Sequence, residues 1–148
     1  MWRQEEIDKL RVSSETVRIY WGIECTAHGC HVLVIGLPEL GPIKRGMKAE
    51  EIAGFAHSNG AAVILAHPCR DADPERLPVN LVDAVEVGSI SFNTVAAKMA
   101  VDLARRFGKP QVAGSDAHAL SQIGWAWTAF PRFPENEHEL AELIRSAA

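Results

Sequence analysis

The 148-residue sequence contains no block of basic residues and no long apolar run. Its formal net charge is −4, so we expect no extended surface for nucleic acid, because duplex binding relies on many Lys and Arg contacts to phosphate. A membrane-spanning helix needs roughly 20 apolar residues in a row, so we also expect no membrane segment. Residues 1–6 are polar, which argues against a secretory signal there.

Cysteine is scarce as well. The three cysteines, Cys25, Cys30 and Cys69, are an odd number in a chain of ordinary domain size. This favours reduced thiols and a cytoplasmic protein over a disulfide-bonded secreted one. With 47% hydrophobic residues, the chain has enough apolar content for a core, and we expect residues 1–148 to form a single domain.

Apolar runs and helical stripes alternate along the chain, which predicts the α/β class with parallel crossovers. The predicted strands cover residues 16–25, 31–36, 61–66, 83–87, the run before Asp116, and 124–130. The predicted helices cover residues 5–11 and 48–58, a long segment capped by Asn93, and a last segment that starts at Asn136. Trp125 and Trp127 alternate with small residues on the last strand, so we expect them to pack in the core.

An apolar strand ends in Gly114-Ser115-Asp116-Ala117-His118. Because side chains on an extended backbone alternate between faces, Asp116 and His118 are expected to project to the same side and to converge on one cation. Asp and His also serve as capping residues in loops, and this alternative stays open on the motif alone.

A second strand, residues 61–66, ends in His67-Pro68. Proline excludes the helical region for the residue before it, so His67 is expected to be extended at the strand end. Open α/β sheets and barrels place their chemistry at the carboxyl ends of strands. We therefore predict that His67 and the Asp116 pair share one site.

The first two strands form a hairpin that carries Glu24 and His31. Whether His28-Gly29 or Ala27-His28 are the central turn residues, Glu24 and His31 share one face, and Cys25 and Cys30 share the other. A zinc knuckle built from both faces, with His28 included, is therefore disfavoured, although a bulge would allow it.

Together these motifs resemble the polymerase and histidinol phosphatase (PHP) family of metal-dependent phosphoesterases. They are Gly22-Ile23-Glu24-Cys25-Thr26, His31 to Leu37, Ala66-His67-Pro68, Glu86-Val87 and Gly114 to His118. The resemblance implies a distorted seven-stranded β/α barrel in which a metal-activated hydroxide hydrolyses phosphate esters. It implies Mn, Fe or Zn ions held by Glu24, His31, His67, Asp116 and His118. The His31 segment supplies a ligand in some branches of the family only.

Two motifs of the family, Asp-x-His-x-His and Thr-Asp-His, do not occur in the sequence. The resemblance therefore implies the later strands of an incomplete barrel, N-terminally truncated relative to the family. Five ligands suffice for one metal but are few for the bridged ions that clamp a phosphoryl group.

Two further residues, Arg70 and Glu86, are candidates for a role in the site. Arg70 has the geometry for a bidentate contact to a phosphate, or it is a solvated loop residue. Asp116 and His118 are the other expected catalytic residues. Glu86 follows an apolar strand and is expected to lie beside the site or at a sheet edge.

These observations favour a phosphoesterase acting on a small phosphorylated substrate, with activity reduced by the absent motifs. One alternative is a catalytically inactive PHP remnant that binds metal. Another is an interaction domain whose open sheet edges are completed by a partner or by a second copy of the chain, because unpaired strand edges favour association.

Overall fold

A computed structural model describes residues 4–11, 16–39, 42–70 and 73–147. Its centre is a five-stranded sheet in the order β1-β2-β3-β4-β5. The strands are β1 (Gly22–Ala27), β2 (Cys30–Ile35), β3 (Ala62–Ala66), β4 (Ala84–Gly88) and β5 (Gln111–Ala113). The helices are α1 (Gln4–Arg11), α2 (Ala49–Ser58), α3 (Thr94–Arg106) and α4 (Glu137–Ser146), and short 3₁₀ turns cover Pro74–Arg76, Val79–Leu81 and Leu120–Gln122.

The sheet is mixed and open. The pairs β1-β2 and β2-β3 are antiparallel, whereas the pairs β3-β4 and β4-β5 are parallel. Parallel crossovers were expected wherever a helix connects two strands, but β2 and β3 run antiparallel although α2 connects them. The α/β class is confirmed, and an open sheet with β1 and β5 at its edges is consistent with an incomplete barrel.

Helices cover both faces of the sheet. On one face the valines of β2 and β3 pack with Ile52 and Ala56 of α2 and with Leu103 of α3 in the larger buried cluster. On the other face Ala62 and Ile64 of β3 pack with Ala84, Val112 and, from α4, Ala141 and Ile144. The polar residues of the site lie on this second face, beyond the end that α4 covers.

Two asparagines fix the starts of the later helices, as predicted. Asn93 Oδ1 accepts a hydrogen bond from the backbone N–H of Ala96 at 2.9 Å, and Asn136 Oδ1 accepts one from Glu139 at 3.0 Å. Each bond satisfies a donor that the first helical turn leaves without a partner. The first of these helices, α3, connects β4 and β5, and α4 packs against the second face.

Two predicted strands differ from the structure. The first strand starts at Gly22, not at residue 16, and residues 124–130 form no strand. The packing prediction for Trp125 and Trp127 is wrong, because the two side chains are 64% and 73% exposed. This segment is attached to β5 through side chains, since the Thr128 hydroxyl bonds both the N–H and the C=O of Ala113.

Within the four described ranges, no helix has the length and apolar character needed to cross a bilayer.

Candidate metal centre

The hairpin register places Glu24 and His31 on the same face of the sheet. Thr26 pairs with His31 and Ala27 with Cys30, so His28 and Gly29 are the central turn residues. Gly29 has φ 79°, a left-handed conformation that glycine adopts without strain. The first of the two registers that the sequence left open is therefore the observed one.

The cysteines of the hairpin lie on the opposite face. Cys25 and Cys30 are buried in the larger core cluster, where burial raises the pKa of both thiols. They point away from Glu24 and His31, because neighbours along a strand alternate between faces. The zinc-knuckle alternative is therefore excluded.

The end of β3 brings His67 to the hairpin. Ala66 pairs with His31 across the sheet, so the next residue, His67, lies at the amino end of β2. The proline that follows predicts an extended backbone at His67, but this prediction is wrong, because the residue has φ 28°. Its N–H donates to Glu86 Oε2 at 2.6 Å. A strained backbone that is held by such a bond is typical of functional sites.

Glu24, His31 and His67 form a compact group of potential metal ligands. Glu24 Oε1 lies 2.7 Å from His31 Nδ1 and 3.3 Å from His67 Nε2. One donor atom from each residue lies within 4.8 Å of the others, and the described residues contain no other such group of three. Two imidazoles and one carboxylate match the donor set of catalytic zinc sites and suit manganese and iron as well. The residues therefore fit a divalent metal ion.

The charges in this group depend on one another. The hydrogen bond with His67 and then the one with His31 lower the pKa of Glu24, which falls to about 2 although burial acts to raise it. The same bond with Glu24 raises the pKa of His67. The His31 contact is shorter, but the His67 ring is more deeply buried, at 9% exposure against 32%. A carboxylate that stays ionised is ready to accept a cation.

Glu86 lies beside this group on β4. It is 5% exposed, and burial raises its pKa to about 7, with the negative charges of Asp116 and Glu24 adding to the effect. The His67 N–H bond and the His67 ring act in the opposite direction. Glu86 is therefore a buried carboxyl beside the site and not an edge residue.

Asp116 and His118 lie outside the group of three ligands. Strand β5 ends at Ala113, and Asp116 has φ 50°, so the prediction of an extended backbone at this motif is wrong. The His118 side chain is 79% exposed, and its Nδ1 lies 2.8 Å from the Asp116 backbone oxygen. Their roles as ligands and catalytic residues remain predictions.

Ser91, which the sequence did not suggest as a site residue, holds Asp116, and Ser89 contacts Ser91 in turn. The Ser91 hydroxyl donates to Asp116 Oδ2, and the hydroxyls of Ser89 and Ser91 lie 3.1 Å apart. Ser89 is only 2% exposed. A backbone bond from Ile90 N to Ser115 O at 3.2 Å joins the two loops. Small polar residues directly after the Glu86 strand were the available sequence signal.

Arg70 lies at a cavity of about 260 Å³ beside the ligand group. His31, His67, Thr26 and Leu77 also line it. The positive charge of Arg70 acts to lower the pKa of His67, which lines the same cavity. The cavity thus joins two of the potential ligands to a cationic side chain.

Comparisons with known proteins agree with the family resemblance. Residues 96–148 match the family model described as PHP-associated, so the similarity to PHP proteins is confirmed over the C-terminal part of the chain. No protein among those with curated descriptions matches the sequence.

Two crystal structures resemble the chain. PsfC from Pseudomonas syringae PB-5123 shares 21% identity at a TM-score of 0.70, over 90% of this chain and 59% of PsfC. A Bifidobacterium adolescentis protein, provisionally described as a metal-dependent phosphoesterase, shares 17% identity at a TM-score of 0.48, over 75% of this chain and 41% of that one. The chain thus spans about three fifths of PsfC or less than half of the second protein, and the likeness to PsfC concerns the fold.

Proposed function

We propose that this chain, whose residues 96–148 match the PHP-associated family model, is a metal-dependent phosphoesterase domain of the PHP type. The observation that carries the proposal is the group formed by Glu24, His31 and His67, whose donor atoms lie within 4.8 Å of one another. Structural histidines are common, but two of them sharing one carboxylate oxygen beside a cavity with an arginine are typical of a catalytic metal site.

The proposed metal is a single Mn, Fe or Zn ion held by these three side chains. A divalent ion in such a site polarises phosphoryl oxygens and makes a water nucleophilic near neutral pH. The donor set does not discriminate among the three metals.

The chain's own residues have distinct parts in this proposal. Arg70, at the cavity beside His31 and His67, contacts the phosphate oxygens and offsets the charge that develops during transfer. Asp116, held by Ser91, is a further ligand or orients the attacking water, and the exposed His118 gives a proton to the leaving oxygen. A water oxygen forms the new bond to phosphorus and releases one proton to the solvent, and the bond to the leaving alcohol breaks as that alcohol takes up the proton from His118.

Phosphate release from p-nitrophenyl phosphate tests the proposal. We expect hydrolysis that requires Mn²⁺, Zn²⁺ or Fe²⁺ and that falls at least about 100-fold in His67→Ala, because loss of one of three ligands removes the metal. The matched control is His138→Ala, an exposed histidine on α4 paired with Glu142, which should retain activity. Hydrolysis that continues after chelation or in His67→Ala would contradict the proposal.

A second candidate is an interaction domain that associates with another copy of itself. It is favoured by five exposed apolar side chains close together in the sequence: Leu120, Ile123, Trp125, Trp127 and Phe133, each more than 60% exposed. Exposed apolar side chains that form a patch often mark an interface. Light scattering at micromolar concentration should then show a dimer that Trp127→Ser converts to a monomer, whereas a wild-type monomer would rule this candidate out.

A further inference from the structure

An apolar cavity of about 240 Å³ lies between α4 and the face of the sheet that carries the metal centre. Its walls come from the four strands β2 to β5, from α4 and from the segment after β5. They include Leu33, Ile35, Ile64, Val112, Phe130 and Ile144. In another protein, an apolar cavity of about 150 Å³ binds benzene, so this one has room for a small hydrocarbon group.

The cavity has a buried floor and a half-exposed rim. Ile64, Val112 and Ile144 are buried, whereas Leu33, Ile35, Phe130 and Leu140 are only partly buried around it. Apolar surface left in contact with water gains free energy when a ligand covers it. The rim is therefore the natural entrance, and an apolar ligand is the type that these walls favour.

Residues of the cavity wall are direct neighbours of the metal centre. Leu33, on its wall, is the direct cross-strand partner of Glu24. Glu86 also lines the cavity, and its carboxylate accepts the hydrogen bond from the His67 backbone. Two of the three potential ligands thus have immediate neighbours in the cavity wall. A separate cavity, the one beside Arg70, is lined by His31 and His67.

We propose that this apolar cavity binds the alcohol or phenol part of a phosphate monoester whose phosphate lies at Glu24, His31 and His67. The inference deepens the proposed function, on which it rests, by naming the substrate class: monoesters with an apolar leaving group. The two cavities give the substrate one orientation, with phosphate oxygens toward Arg70 and the apolar group along the sheet toward Leu33 and Ile64.

Binding of alkylphosphonates tests the inference separately from turnover, because their carbon–phosphorus bond is not an ester that this site would hydrolyse. Calorimetry with the full chain in Mn²⁺ compares n-hexylphosphonate with ethylphosphonate, which carry the same head group. We expect the hexyl compound to bind at least about tenfold more tightly, since each buried methylene adds to the transfer free energy.

Three variants locate the effect. Leu140→Trp fills the cavity from its rim, and Ile35→Phe adds bulk from the opposite side, so either should reduce the preference for the hexyl chain to less than about threefold. The control is Leu10→Trp, the same type of substitution on α1. Leu10 is 38% exposed and does not line the cavity, so this variant should keep the preference for the hexyl chain. Circular dichroism identifies a filled variant that fails to fold, in which case the other one decides.

The outcomes separate the two proposals. Equal affinity for the two phosphonates, or a hexyl preference that survives in both filled variants, would overturn the inference even if the protein hydrolyses p-nitrophenyl phosphate. A hexyl preference that is lost in the filled variants supports it. Absence of phosphate release from any ester would count against the proposed function, while the binding comparison would still test the cavity.

Discussion

The backbone N–H of His67 donates to Glu86 Oε2 at 2.6 Å. This bond joins the ends of two parallel strands, β3 and β4, and keeps a buried carboxyl next to a histidine that is a potential metal ligand. It also holds His67 at φ 28°, outside the common regions for a residue with a side chain. The position of the imidazole therefore depends on a residue that need not touch the metal.

Replacement of Glu86 by Gln should change how stability depends on pH. Burial raises the pKa of Glu86 from 4.5 to about 7, so the folded state binds a proton that the unfolded state releases. The stability that this proton contributes is full below pH 4.5 and is lost as pH rises through about 7, a difference of about 3 kcal/mol. Glu86→Gln should thus be more stable than the wild type at pH 8 and similar to it at pH 4.5.

Urea denaturation in the presence of a chelator measures this difference. The amide oxygen of Gln still accepts the His67 N–H bond, so the comparison isolates the charge. A stability difference between the two proteins that is the same at pH 4.5 and pH 8 would show that Glu86 does not titrate as described.

Glu24→Gln should weaken metal binding strongly. The change removes the carboxylate that both histidines contact, and a neutral amide is a poor ligand for Mn²⁺ or Zn²⁺. We expect the dissociation constant for Mn²⁺ in calorimetry to rise at least about 100-fold. Glu50→Gln, an exposed carboxylate in the first turn of α2, is the control and should bind as the wild type does.

Ser91→Ala tests whether the serine positions Asp116. The substitution removes the donor to Asp116 Oδ2, so we expect kcat for phosphate release to fall about tenfold with little change in melting temperature, because one partly buried hydrogen bond contributes only about 1 kcal/mol. Ser91→Thr keeps the hydroxyl and should restore most of the activity. Ser58→Ala, which removes an exposed hydroxyl bonded to Gly54 O, should be neutral; equal losses in both Ala variants would contradict the positioning role.

Asn93→Ala should destabilise the protein by about 1 kcal/mol in urea denaturation, because the Asn93 side chain caps α3. Asn93→Ser retains a capping oxygen and should recover most of that stability. No difference between the Ala and Ser variants would mean that the cap contributes little.

The sequence predicted the elements whose signals are local. Asn93 and Asn136 cap their helices as expected, and the hairpin faces followed from strand alternation because pairing fixes which residues share a side. Glu24 and His31 lie on two paired strands and His67 follows the end of the next strand, and these positions bring the three residues together.

Other features depend on tertiary contacts that the sequence pattern does not contain. The Asp116 motif follows a strand of only three residues and turns into the left-handed region, where its contacts with Ser91 hold it. Trp125 and Trp127 alternate as in a strand, yet the segment makes side-chain bonds to β5 in place of a backbone ladder. Alternation alone cannot distinguish these two arrangements.

Anomalous X-ray diffraction from crystals of the chain soaked in Mn²⁺ tests the central claim most directly. We predict one strong manganese peak within about 2.0–2.4 Å of Glu24 Oε1 and of a ring nitrogen from both His31 and His67, which is the range of typical ligand distances. A peak bound only by Asp116 and His118, or no peak at the three residues despite saturating Mn²⁺, would contradict the account.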